Sequence, residues 1–343
     1  MKVTEKITIA DVLRGCSAGR VQSVGCMQVI PLVSDITDDR FAAPDEALVS
    51  TSGYGTLVFK NESNKTMIIP PQTAYIVNQA AQDHALPHAA LLKAKAVKEY
   101  NTAMCIQQTQ GGYIQAGKHD MIILPFLLRE KAHKIRNKVD FRRLWNDIGR
   151  LNKDAGVDGD MGGVGGHLDV FLKHFEQQLS AFVAEFEPVP KQVGAVIMIG
   201  GSVAGIERTP SYDYWKVVWP ALIRECYGSL AIMWSQRNVG KVPDTRTPLK
   251  KATSIAELRN ALKDATEVEK AKIADVVNGL LGVAMSAESE ESDSPIRIDS
   301  VIGDNFLGQV VRDGPAVVYG SIIAKEQHLK KTEWEKKAKP FAM

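Results

Sequence analysis

The rhythm of apolar and polar residues first changes near residue 140. Up to about residue 135 the apolar residues come in short runs ended by Pro, Gly, Asn or Asp. Half-buried strands are written this way, because each needs only a few residues and its turns need special backbone angles. RVQSVGCMQVIPLVS (20–34) predicts a strand ended by a proline turn. Leu57, Val58 and Phe59 face Met67, Ile68 and Ile69 across turn residues 61–65, and Pro70-Pro71 stop the return run, which predicts a hairpin. YIVNQAAQ predicts a further strand, AMCIQQTQGG a strand before a Gly111-Gly112 turn, and DMIILPFLLRE begins as a buried strand. ALLKAKAVKEY (90–100) is rich in Ala, Leu and Lys and predicts a short helix on propensity.

From about Asp140 the apolar spacing lengthens to three and four residues. Phe141, Leu144, Trp145, Ile148 and Leu151 predict one helix, and HLDVFLKHFEQQLSAFVAEF (167–186) predicts another, ended by Pro188 and Pro190. QVGAVIMIGGSVAGIE (192–207) predicts two strands joined at Gly200-Gly201. A long helix over 212–234 is expected to kink at Pro220. Residues 254–285 predict a second long helix, with Ser254 as cap and Glu257 three residues on. IRIDSVIG and AVVYGSIIAK close the pattern as strands.

No βαβ alternation runs long enough for a doubly wound sheet, so the fold class is α+β, with mixed or antiparallel sheets and several long helices. The expected organisation is a β-rich part, 1–135, packed with an α+β part, 136–325, as one composite domain. A basic linker (236–253), an acidic linker (286–295) and a charged tail (326–343) complete it.

Composition narrows the setting. The chain has 343 residues, 45% hydrophobic and 24% charged, enough for a sizeable core without disulfide support. None of the four cysteines forms a CxxC, which argues against a structural zinc and fits a reducing, cytoplasmic compartment. MKVTEKITIADVL does not read as a signal peptide, and no apolar run approaches the roughly 20 residues of a membrane span, so no membrane is expected. The net charge of +2 creates no global field for nucleic acid, and the basic runs are not interleaved with aromatics, so RNA binding is the weakest reading.

The candidate chemistry is concentrated in NQAAQDHALPHAA (78–90). His84 and His88 have the spacing of a helical zinc pair, but Pro87 and the missing glutamate argue against one, so no metal is expected. Gln82, Asp83 and His84 can supply donors, an acceptor and a titrating group to a ligand, or can cap the next element. Cys105 is a nucleophile if the fold brings it a base such as His84, and otherwise a buried thiol. Gln107 and Gln108 could read a ligand's hydrogen-bonding edge or face water. Glu207 and Arg208, at a strand end, form either a ligand-contacting pair or a surface ion pair. GVDGDMGGVGGH is glycine-rich but lacks the ending of a P-loop.

Taken in order, VIPLVSD, FKNESNKTMIIPPQ, QAAQDH, AMCIQQTQGG and QVGAVIMIGGSVAGIE resemble the domain family associated with ADP-ribosylglycohydrolases and rhodanese-phosphatases. The likeness covers most of residues 25–325. It implies an α+β domain tied by association to NAD and ADP-ribose metabolism, in a conflict or phage setting, with a small nucleotide as ligand. The family pattern carries a glutamate two residues after the cysteine, where this chain has Gln107, so a general base at that place is absent. If there is chemistry, His84 is the expected acid/base, with Asp83 and Cys105 beside it. The cofactor is left open. The rival reading is a non-catalytic, self-assembling homo-oligomer of viral type.

Overall fold

The computed structural model describes residues 5–77, 81–109, 111–157, 165–238, 254–293 and 295–331. Its backbone is a ten-stranded antiparallel sheet that brings Glu5–Thr8 together with strands of residues 284–324. In spatial order the strands are Glu5–Thr8, Ala284–Asp293, Ile296–Ile302, Phe306–Asp313, Ala316–Ala324, Ser202–Arg208, Gln192–Ile199, Met27–Val33 and Ser17–Ala18. Gln22–Val24 also pairs with Met27–Val33. The sheet therefore crosses the change of rhythm near residue 140.

The hairpin at Gly200-Gly201 forms as expected. Both glycines have positive φ, +58° and +76°, and Ile199 pairs with Ser202 across the turn. Two consecutive residues at positive φ match the right-handed twist of the flanking strands.

The hairpin expected at 57–69 does not form. Leu57–Lys60 pairs with Val97–Tyr100 and Leu48–Ser50, whereas Thr66–Ile69 pairs with Ala90–Leu92 and, in parallel, with Phe41–Ala42. The segment expected as a helix, 90–100, is thus two strands that accompany 57–69 around a corner. Asn61 holds the corner: its Nδ2 donates to the carbonyls of Lys65, Leu92 and Lys93 at 2.8, 3.2 and 2.9 Å. Phe59, Met67, Tyr75 and Leu92 then share one core. Tertiary pairing overrides helix propensity here because the strand partners and the core lie outside any local window.

Two further expectations are corrected. The segment 167–186 is two helices, Leu168–His174 and Glu176–Glu185, divided at Phe175. The acidic segment 286–295 is not a linker but mostly the strand Ala284–Asp293. Its register shifts between Ser289 and Glu291, which leaves Glu290 to pair with Arg136 while Glu291 pairs with Lys98. Two of its carboxylates thus meet cations from the other half of the chain, and the alternating Met285 and Ala287 side chains are buried in the core. Residues 239–253 of the basic linker and 332–343 of the tail lie outside the described residues.

The helix Ile255–Leu281 starts where expected, with Ser254 Oγ accepting from the Glu257 N–H at 3.2 Å. Beyond Pro220 the helix Tyr212–Ala221 widens into a π-helical stretch, Leu222–Gly228, that buries Glu225, Cys226 and Tyr227 in succession. Among the described residues no helix is long and apolar enough to cross a membrane.

Candidate functional site

Three short strands assemble the site. His84–Ala85 lies between Thr73–Ile76 and Met104–Cys105, so His84 faces Tyr75 on one side and Cys105 on the other. Gln82 and Asp83 precede this strand, and Gln107 and Gln108 follow its neighbour. Antiparallel pairing thereby brings together two polar runs more than twenty residues apart.

Asp83 is buried. Its Oδ1 accepts from the Val77 N–H at 2.8 Å and its Oδ2 from Gln107 Nε2 at 3.2 Å. Loss of solvent raises its pKa above the ordinary aspartate range despite those two bonds. His84 is wholly buried, with Nδ1 2.7 Å from the Gln82 carbonyl and Nε2 accepting from the Gly55 N–H at 3.2 Å. A carbonyl at one nitrogen and an N–H at the other fix the neutral tautomer with its proton on Nδ1. Burial also holds the histidine's pKa below its usual value. Gly55 is needed for this contact: its φ is +81°, and a Cβ there would lie 3.0 Å from the Cβ of Phe141.

Cys105 is fully buried, its Sγ donates to the Gln107 carbonyl at 3.0 Å, and burial pushes the thiol up to about 11. Such a cysteine is protonated at neutral pH and is a poor nucleophile. Gln82 Nε2 donates to the Gln107 carbonyl at 3.1 Å. Gln108 is exposed at the rim, where its Oε1 accepts from the Gly166 N–H at 2.8 Å. The described end of the glycine-rich segment is thus tied to the site. His167 bridges to Gln107, and Asn152 Nδ2 donates to the His167 carbonyl at 2.9 Å.

This cluster leaves acceptors unused. Gln82 Oε1, Gln107 Oε1 and Asn152 Oδ1 are buried without a partner, and no other side-chain amide oxygen among the described residues is left so. The indole of Trp145 packs beside Gly166.

Six of the eight expected site residues therefore meet: Gln82, Asp83, His84, Cys105, Gln107 and Gln108. Glu207 and Arg208 do not join them, and they are not a pair. Successive strand residues point to opposite faces. Glu207 faces the interior, bound by Arg129 Nη1 at 3.0 Å and by Tyr227 OH at 2.7 Å. Arg208 faces the other way and donates to the carbonyls of Val12 and Arg14. His88 is bound to Thr102 Oγ1 at 2.7 Å and to the Ala89 carbonyl at 2.8 Å. Among the described residues no group of three or more His, Cys, Asp or Glu could hold a metal ion. Asn152 and His167 were not expected; a polar residue on the apolar stripe of a helix and a histidine ending a six-glycine run were the signals that pointed to them. A groove of about 600 Å³ lies between the helix Ile255–Leu281 and the sheet, lined by Gln28, Met198, Lys272 and Val276, and none of the site residues lines it.

An α+β domain built around a buried, partly unsatisfied polar cluster is the class that fold and site define. Residues 15–300 match the model of the ARPP-1 domain, the ARG and Rhodanese-Phosphatase-superfamily-associated Protein domain, and the chain belongs to that family. ARG denotes ADP-ribosylglycohydrolase. No curated protein and no solved structure matches the chain.

Proposed function

We propose that this protein binds an ADP-ribose- or NAD-like nucleotide at the cluster of Gln82, Asp83, Gln107 and Asn152, and holds it without turnover. The observation that carries the reading is the set of three buried amide oxygens without partners. A buried polar atom left unpaired costs about 1–3 kcal/mol, and a ligand hydroxyl or amino group would remove that cost. Ribose hydroxyls and the exocyclic amine of adenine are donors of this kind. The family's association with ADP-ribosylglycohydrolases supports ADP-ribose as the chemical class.

Three features favour binding over catalysis. The Cys105 thiol is held protonated. Both nitrogens of His84 are occupied by backbone groups. Gln107 cannot act as a base where a glutamate could. The test is titration calorimetry of the purified protein with ADP-ribose and NAD, with Gln107→Leu as comparison. The expected result is heat of binding in the wild type, none in Gln107→Leu, and unchanged ligand after prolonged incubation. Absence of binding to either nucleotide would sink the reading, and steady consumption of ligand would replace it with a catalytic one.

A further inference from the structure

The two exposed aromatic side chains among the described residues are Tyr54 and Tyr113, and they touch each other. Large aromatic rings are costly to leave in water, so two in contact at one surface point to a ligand that covers them. Tyr54 is 45% exposed and Tyr113 48%. Their ring centroids are 5.2 Å apart. Tyr54 stacks in turn on Phe141, at 5.7 Å and 27° between planes, and Phe141 meets Trp145 edge-on at 5.8 Å. The guanidinium of Arg142 lies over the Phe141 ring at 5.8 Å. The four rings form a ladder from the surface inward.

The ladder ends at the polar cluster, and backbone bonds join the two along its length. Gly55, next to Tyr54, donates its N–H to His84. Gly112, next to Tyr113, accepts from the Gln82 N–H at 3.3 Å, and its own N–H donates to Tyr54 OH at 3.4 Å. The Phe141 carbonyl accepts from the Cys105 N–H at 2.9 Å. The rings are thus fixed relative to the unpaired amide oxygens by the same backbone that builds the site.

We propose that Tyr54 and Tyr113 form a base-stacking platform at the mouth of this site, taking the adenine of the bound nucleotide while the polar cluster takes its ribose. The inference rests on the nucleotide reading above and adds to it which end of the ligand lies outward. A flat purine covers tyrosine rings without hydrogen-bond direction, so the contact supplies affinity and leaves the buried amides to set orientation.

The experiment compares ADP-ribose, which carries the base, with ribose 5-phosphate, which does not. Binding of each is measured by calorimetry on the wild-type chain and on Tyr113→Ala, Tyr54→Ala and Tyr113→Phe. Tyr113 lies at the end of the ladder, so its variants also control for loss of fold, checked by circular dichroism. The expected result is that either alanine variant weakens ADP-ribose by at least about fivefold, that Tyr113→Phe retains it, and that ribose 5-phosphate binds all four proteins alike. Wild-type affinity for ADP-ribose in both alanine variants would overturn the platform and leave the nucleotide reading standing. Equal affinity of the wild type for the two ligands would do the same, because the base would then contribute nothing. A wild type that binds neither ligand overturns the nucleotide reading and the platform with it.

Discussion

Two buried polar clusters stand close in this sequence's logic and differ in one respect. In the first, Arg129 is fully buried and spends its donors on Gln72 Oε1, Glu207 Oε1 and Ser321 Oγ at 3.1, 3.0 and 2.6 Å. Tyr227 OH adds a second bond to Glu207, and no side-chain atom of Arg129 or Glu207 is left buried without a partner. In the second, Gln82, Gln107 and Asn152 each spend their amide N–H groups and keep an oxygen unpaired. The first cluster is closed: its groups satisfy one another and tie the helix Phe126–Lys134 to the strands Ser202–Arg208 and Ala316–Ala324. The second is open: three of its buried amide oxygens have no partner. Burial alone does not separate the two clusters; the amide oxygens left without a partner do.

The comparison is broken most strongly at Arg129. Arg129→Met leaves the Glu207 carboxylate buried without its cation, and the expected loss is roughly 3–5 kcal/mol of unfolding free energy, read from urea denaturation. Pairing it with Glu207→Leu should recover most of that loss, since the uncompensated charge is then gone. If the double variant is no better than the single one, packing and not charge holds this centre.

The open cluster should behave in the opposite way. Gln82→Leu removes one hydrogen bond together with one unpaired oxygen, so stability should change by less than about 1 kcal/mol while nucleotide binding disappears. A large loss of stability by the same denaturation assay would place Gln82 with the structural network instead.

Asp83 sharpens the distinction. Its raised pKa means that the folded protein resists ionising it. The unfolded chain binds fewer protons through this window, so its contribution makes stability fall as pH rises from the ordinary aspartate range through the elevated folded value. Asp83→Asn should abolish that contribution and leave the fold intact. The new amide can donate to Gln107 Oε1, which lacks a partner now, while its oxygen keeps the Val77 bond. Thermal melts of the two proteins across the acid range measure the difference, and parallel curves would refute it.

A further effect comes from two buried groups outside both clusters. Burial lifts Glu225 to about 7 and lowers His133 to about 3. For Glu225, stability falls as pH rises from the free value of 4.5 to about 7. For His133, stability falls as pH drops from the free value of 6.5 towards 3. The two slopes oppose each other where the windows overlap. Glu225→Gln should therefore expose a steeper acid loss near pH 5 to 6 than the wild type shows, and an unchanged melting profile there would mean that the two groups do not titrate as described.

Part of this was written locally. The turn at Gly200-Gly201 needs two consecutive residues tolerant of positive φ, and they are there. Ser254 caps the helix that follows it through a bond three residues long. Gln82, Asp83 and His84 are neighbours in the chain, as are Cys105, Gln107 and Gln108, so one strand pairing sufficed to bring them together. Such features depend on consecutive backbone angles and hydrogen bonds within a turn, and a short stretch of residues specifies both.

The tertiary structure decided the rest. Leu57–Lys60 took Val97–Tyr100 as partner in place of its own return run, because both segments turn the corner that Asn61 ties. The acidic run became a strand because Glu5–Thr8 and Ile296–Ile302 pair with it on either side, and Arg136 and Lys98 meet two of its carboxylates from distant parts of the chain. Glu207 found its partner 78 residues away in Arg129, since alternation along the strand sends Arg208 to the opposite face. Asn152 joined the site only through a contact to His167. Each of these depends on which surfaces meet, and burial then sets whether a polar group is satisfied, shifted in pKa or left open. No local window of sequence holds that information, because the dielectric and the partners of a side chain exist only once the chain has packed.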